Sequence, residues 1–114
     1  MGVPLTQSPP RRGPAPTWAD ALRATHDAFV ECVVREQAAG RAASSLGPTG
    51  PARLAGELAI AYRDAGRVFA AAYRHLDAGR EGEARHVLTR VTNTDQWPAG
   101  AVIRAERVLG LLER

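Results

Sequence analysis

The stretch "AYRDAGRVFAAAYRHLDAGREGEARHVL", residues 61–88, contains Asp-Ala-Gly-Arg twice, at 64–67 and at 77–80. Two turns here would make the chain a run of short hairpins. A helix through the first copy would instead make one long element. Hydrophobic phase decides between them. At about 100° per residue, Leu54, Leu58, Ala61, Tyr62, Ala65, Phe69, Ala72 and Leu76 stay within about 60° of one direction. Arg53, Glu57, Arg63, Asp64, Arg67 and Arg74 take the other side. A turn at 64–67 gives no reason for that register to survive across it. The first copy is predicted to be helix interior, with Gly66 costing about 0.5–1 kcal/mol relative to alanine.

The second copy differs, because Gly79 is followed by Gly82. Two glycines three residues apart make continuation expensive, and the apolar set shifts to Ala84, Val87, Leu88 and Val91. Gly79 is expected as a left-handed C-terminal cap, with a third helix over about 81–92.

Working outward, "TWAD" at 17–20 reads as a capping box, with Thr17 as N-cap and Asp20 three residues later. Trp18, Leu22, Phe29 and Val33 recur at helical spacing and are expected on the buried face. Asp20, Arg23, Asp27, Glu31 and Arg35 fall opposite. This first helix is expected to fade near Gly40, with "SSLGPTGP" (44–51) as the linker and Pro51 opening the next helix. "TNTDQWPAG" (92–100) ends the third helix, and Asp95 or Pro98 starts a fourth, with Trp97 folding back on the domain. In that fourth helix Val102, Ala105, Val108, Leu109 and Leu112 share a face.

The expected fold is all-α: a single domain over 17–114 of two long and two short helices in antiparallel hairpins. Residues 1–16 hold five prolines and little that could pack, and read as a disordered Pro/Arg-rich tail.

The region around the second turn resembles one tetratricopeptide unit in Ala71, Ala72, Gly79, Ala84 and Leu88. His75 stands where that family places an aromatic, and no second unit follows at its period. The resemblance implies a packed helical hairpin across Gly79 and no solenoid.

At 114 residues there is room for one domain, with 45% hydrophobic and only 5% aromatic residues. Alanine supplies much of the apolar total, which favours closely approaching helices over strands. The formal charge is +3, and all 15 basic residues are arginine. With abundant Ala, Gly and Pro, this looks like the codon bias of a GC-rich genome, which weakens the case for phosphate binding.

Cys32 is the single cysteine, so no internal disulfide forms. The N-terminal stretch lacks the apolar core of a secretory signal, and no run is long enough for a membrane span. A cytoplasmic protein without a membrane role is expected.

His26, His75 and His86 form no ligand-spaced pair with Cys32, and zinc-site and phosphate-loop motifs are missing. No metal, cofactor or catalytic residue is assigned, and the chain is read as non-enzymatic. His26, between Leu22 and Phe29, is expected to be half-buried and hydrogen-bonded.

Two functional classes follow. The first is a helical protein–protein interaction module, an adaptor or regulatory subunit that binds a protein partner or forms a homo-oligomer. Its surface is expected at Ile60 with Arg67 and Arg74, and at Ile103 and Leu111 with Arg104 and Arg107, where exposed apolar residues sit beside arginines. The second is a nucleic-acid-binding or transcription-linked regulator using the Arg-rich face of the second helix and Arg11-Arg12. Glu57, Asp64 and Asp77 interrupt that face, so it ranks second.

Overall fold

The computed structural model describes residues 18–93 and 97–113. Among them are four α-helices and no strand: α1 (Trp18–Leu46), α2 (Gly50–Asp77), α3 (Glu81–Thr92) and α4 (Ala99–Leu112). The fold is the all-α arrangement of two long and two short helices read from the sequence. The tail assigned to 1–16, the Thr17 cap and the Asp95 start lie outside the described residues.

The two Asp-Ala-Gly-Arg copies part as the hydrophobic phase requires. α2 runs unbroken through the first, and Gly66 is buried within it. The second stops the helix, with Gly79 at φ +79°. There the Arg80 N–H donates to the His75 carbonyl (2.7 Å) and the Gly79 N–H to the Leu76 carbonyl (3.0 Å). These are the two bonds of a Schellman motif, and they satisfy carbonyls that the helix end would leave orphaned. Arg80 Nε also donates to His75 Nδ1 at 3.1 Å, closing the turn from the side-chain side.

α1 outlasts its expected end. It passes Gly40 and continues to Leu46, where Gly47 at φ +69° terminates it. Packing along α2 offsets the cost of a mid-helix glycine, so composition alone placed the end too early. The linker shrinks to residues 47–49. Thr49 is the N-cap of α2: its backbone is extended (φ −126°, ψ 167°) and its Oγ1 accepts from the Ala52 N–H at 3.1 Å. Pro51 falls in the first turn, where its missing N–H costs nothing.

α1 and α2 form a long antiparallel hairpin, tied at its base by Trp18 Nε1 donating to the Leu76 carbonyl at 3.1 Å. α3 packs on α2, α4 packs on α1, and α3 and α4 pack on each other. The result is a two-layer, four-helix arrangement with one core of Cys32, Phe69, Leu76, Leu88, Val91 and Val108 among many alanines. Trp97 folds back against that core as expected. Arg85 of α3 stitches the short layer: its guanidinium pairs with Glu81 and donates to the Leu112 carbonyl at 2.6 Å, at the negative end of α4.

The buried line of α1 is not the expected one. Ala21, Thr25, Ala28, Cys32 and Ala39 are buried, whereas Leu22, Phe29 and Val33 are half-buried and Trp18 is exposed. The small residues occupy the deepest line because they let α1 approach its neighbours closely. The larger side chains flank the contact. Thr25 fits there because its hydroxyl donates to the Ala21 carbonyl at 2.7 Å.

Length now decides what the core can cover. α1 and α2 contain 29 and 28 residues, or about 42 Å each at 1.5 Å per residue. α3 and α4 contain 12 and 14, or about 18–21 Å. The short layer covers only the base of the hairpin, and the rest projects as a two-helix arm.

Candidate functional site

On α2, Leu54 and Leu58 share the direction of Ala65, Phe69, Ala72 and Leu76, the face that α3 and α4 bury. The sequence places all of them in the core. The structure buries Phe69, Ala72 and Leu76 completely but leaves Leu54 67% and Leu58 44% exposed. Their direction is right, but among the described residues neither α3 nor α4 reaches them. The start of α4 meets α2 at Tyr62: a Cβ added at Gly100 would stand 4.0 Å from the Tyr62 hydroxyl. Beyond Tyr62 no other described helix packs on the hairpin.

α1 supplies the other half of this surface. Val34 is 53% exposed on the side where α4 packs closer to the base. Val34, Ala38, Leu58 and Tyr62 together line a shallow groove between the two helices, with Glu31 and Arg35 at its inner end. Leu46 is exposed at the tip. From Val33 to Asp64 the only buried residues are Ala39 and Ala52, the small side chains that seal the two helices against each other. The arm therefore has an apolar patch at Val34, Ala38, Leu54 and Leu58 and few buried residues of its own. A patch of this kind calls for an explanation that scattered single residues do not.

The inner end of the groove is electrostatically fixed. Arg35 Nε donates to Glu31 Oε2 at 2.6 Å, and Arg104 of α4 lies 3.9 Å from Glu31 Oε1. The Arg35 hydrogen bond lowers the Glu31 pKa against partial desolvation, which raises it, and the Arg35 and Arg104 charges lower it further. The carboxylate stays ionised between two cations and marks where the covered half ends.

The residues singled out from the sequence separate into distinct places. Ile60 (51% exposed), Arg67 and Arg74 lie together along the outer side of α2, facing away from the short layer. Asp64 sits 3.9 Å from Arg63 and 4.0 Å from Arg67, partly neutralising that stripe. Ile103 is 64% exposed on the outward side of α4. Arg104, Arg107 and Leu111 line a cleft against Asp20, Arg23 and Asp27 of α1. Leu111 corrects an expectation: it is half-buried and packs against the core, because α1 covers that flank of α4. These residues form no single patch.

His26 is also corrected. Its side chain is exposed, 3.9 Å from Asp27 and edge-on to the Tyr73 ring at 6.1 Å. Cys32 is buried, and desolvation pushes its thiol pKa up to about 11, so it is a core residue and a poor nucleophile. Among the described residues no group of three His, Cys, Asp or Glu side chains could hold a metal ion, and no helix is long and apolar enough to cross a membrane.

Sequence reading missed Val34 and misassigned Leu54 and Leu58. The signal was the length mismatch itself: two helices of about 12 residues cannot cover two of nearly 30. No protein family, curated protein or solved structure matches this chain.

Proposed function

We propose that the protein is a non-enzymatic, cytoplasmic interaction module whose recognition surface is the uncovered apolar face of the α1–α2 arm. The observation that carries this reading is the exposure of Leu54, Leu58 and Val34 in phase with the buried core. Apolar side chains aligned on a helical hairpin, flanked by arginines, have the make-up of an interface centre. Ile60 and Ile103 stand outside this face and are secondary contacts at most.

Nucleic-acid binding through Arg63, Arg67 and Arg74 is the second reading, favoured by their alignment on the outer side of α2. Asp64 beside two of them weakens it.

A comparison of two variants tests the choice. Leu54→Glu is expected to abolish capture of a protein partner from host extract while leaving helicity unchanged, because it puts a charge where a dry contact forms. Arg67→Ala with Arg74→Ala is expected to leave capture intact. A salt-sensitive affinity for duplex nucleic acid, lost in the arginine variant and kept in Leu54→Glu, would replace the first reading with the second.

A further inference from the structure

At the four-helix end, α1 and α4 leave a second opening between them. The core beneath sets their spacing: Ala21 and Ala28 of α1 and Ala101, Ala105 and Val108 of α4 are buried there. On the flank of that contact lies a cleft of about 270 Å³, with Ala24 and Leu111 as its apolar lining. Its two walls differ in charge. The α4 wall presents Arg104 and Arg107, one helical turn apart, and no acid. The α1 wall presents Asp27 and Arg23, and Arg23 is already paired to Asp20 at 3.3 Å.

Among the described residues no ion pair joins the two walls inside the cleft. Asp27 meets His26 on its own helix at 3.9 Å, and Arg104 meets Glu31, one turn beyond the cleft, also at 3.9 Å. The walls face each other with opposite charges that do not close. We propose that this cleft binds a small zwitterion, an aliphatic α-amino acid, a role separate from the recognition surface on the arm. Its carboxylate meets Arg104 and Arg107, its ammonium meets Asp27, and its side chain lies on Ala24 and Leu111. Guanidinium groups take a carboxylate through paired N–H donors, which fixes its orientation. A simple anion would leave Asp27 facing it, and a simple cation would be repelled by both arginines. Only a ligand carrying both charges, suitably spaced, suits both walls.

Size and exposure limit the ligand and its affinity. A volume of about 270 Å³ falls below the range of drug-sized pockets, which leaves room for one amino acid but not for a nucleotide or a long peptide. The Arg104 side chain is 42% exposed and that of Asp27 66%, so water screens both contacts. Binding is therefore weak, in the millimolar range, and weakens further with added salt. Such a site responds to an abundant metabolite and not to a trace signal.

Amide NMR titrations of the full chain at low salt test this with three probes: leucine, 4-methylpentanoate, which lacks the ammonium, and 3-methylbutylamine, which lacks the carboxylate. The expected result is saturable shifts at Ala24, Asp27, Arg104 and Arg107 with leucine, and binding of either analogue weaker by about three- to fivefold. Arg107→Gln and Asp27→Asn should each weaken leucine binding by a similar factor, and Arg67→Gln, on the outer side of α2, should leave it unchanged. The two cleft variants lie on different helices, so the test stands if circular dichroism shows that one of them unfolds. Shifts that do not saturate at millimolar leucine overturn the site. Equal binding of leucine and 4-methylpentanoate overturns the zwitterion and leaves the arginines as a general anion contact. Leucine binding that survives both cleft variants overturns the location.

Discussion

Gly66 lies directly against Cys32: a Cβ added at Gly66 would stand 3.4 Å from the Cys32 Cβ. The two long helices cross where each presents a small side chain, and that crossing holds the covered end of the hairpin together. Gly66→Ala gains about 0.5–1 kcal/mol in helix propensity and meets a contact at the van der Waals limit. The expected net change is within about 0.5 kcal/mol of zero. Gly66→Leu forces the helices apart and should destabilise by about 1–3 kcal/mol. Urea denaturation of the three proteins measures both changes.

Gly79 responds to a different constraint. No atom crowds its Cβ position, but its φ of +79° is a conformation that L side chains rarely adopt. Gly79→Ala should cost about 1 kcal/mol. Gly82, in the first turn of α3 with open space around it, should gain up to about 0.5 kcal/mol on substitution by alanine. Opposite signs in two glycines three residues apart, read from denaturation midpoints, check the turn assignment.

The Cys32 thiol couples stability to alkaline pH. Its folded pKa is raised from 9.0 to about 11, chiefly by burial, so the folded state holds the proton where the unfolded state has released it. Stability is therefore full below about pH 9 and declines between about 9 and 11, by about 2–3 kcal/mol in all. Cys32→Ala should lose this component of the slope. Thermal melts of both proteins across that window, with thiol alkylation rates at neutral pH, test the assignment. Rapid alkylation of the folded wild type would contradict it.

The covered and bare halves of α2 should differ in what truncation costs. Phe69→Ala removes a fully buried side chain from the four-helix end and should cost about 3–5 kcal/mol. Leu58→Ala, on the same face less than 20 Å away, should cost less than about 1 kcal/mol. Equal losses in chemical denaturation would mean that the arm is covered within the monomer.

These contrasts also show what the sequence could convey. The continuity of α2, the cap at Gly79 and the bounds of α3 were legible because each depends on local chemistry: stripe phase, backbone freedom at glycine, spacing. The end of α1 was not, since packing against α2 carries it past Gly40. Leu54 and Leu58 failed for another reason. Periodicity gives the direction of a side chain around its helix axis, but not whether a neighbour extends far enough along that axis to meet it. Leu111 shows the reverse: its offset from the main stripe of α4 suggested solvent, but α1 flanks that side. The Val34 surface depends on a difference in length between elements far apart in sequence, which no residue pattern within one helix records.

The seal made by Ala39 and Ala52 has a consequence for motion. Two alanines bury too little surface to bind the arm into the cooperative unit at its base, so its amides should exchange through local openings well below the free energy of global unfolding. The turn at 47–49 then becomes the preferred site for a protease, with the four-helix end left intact. Whatever covers the arm also raises the free energy of these openings, so occupancy of the face can be read as slowed amide exchange from Val34 to Tyr62.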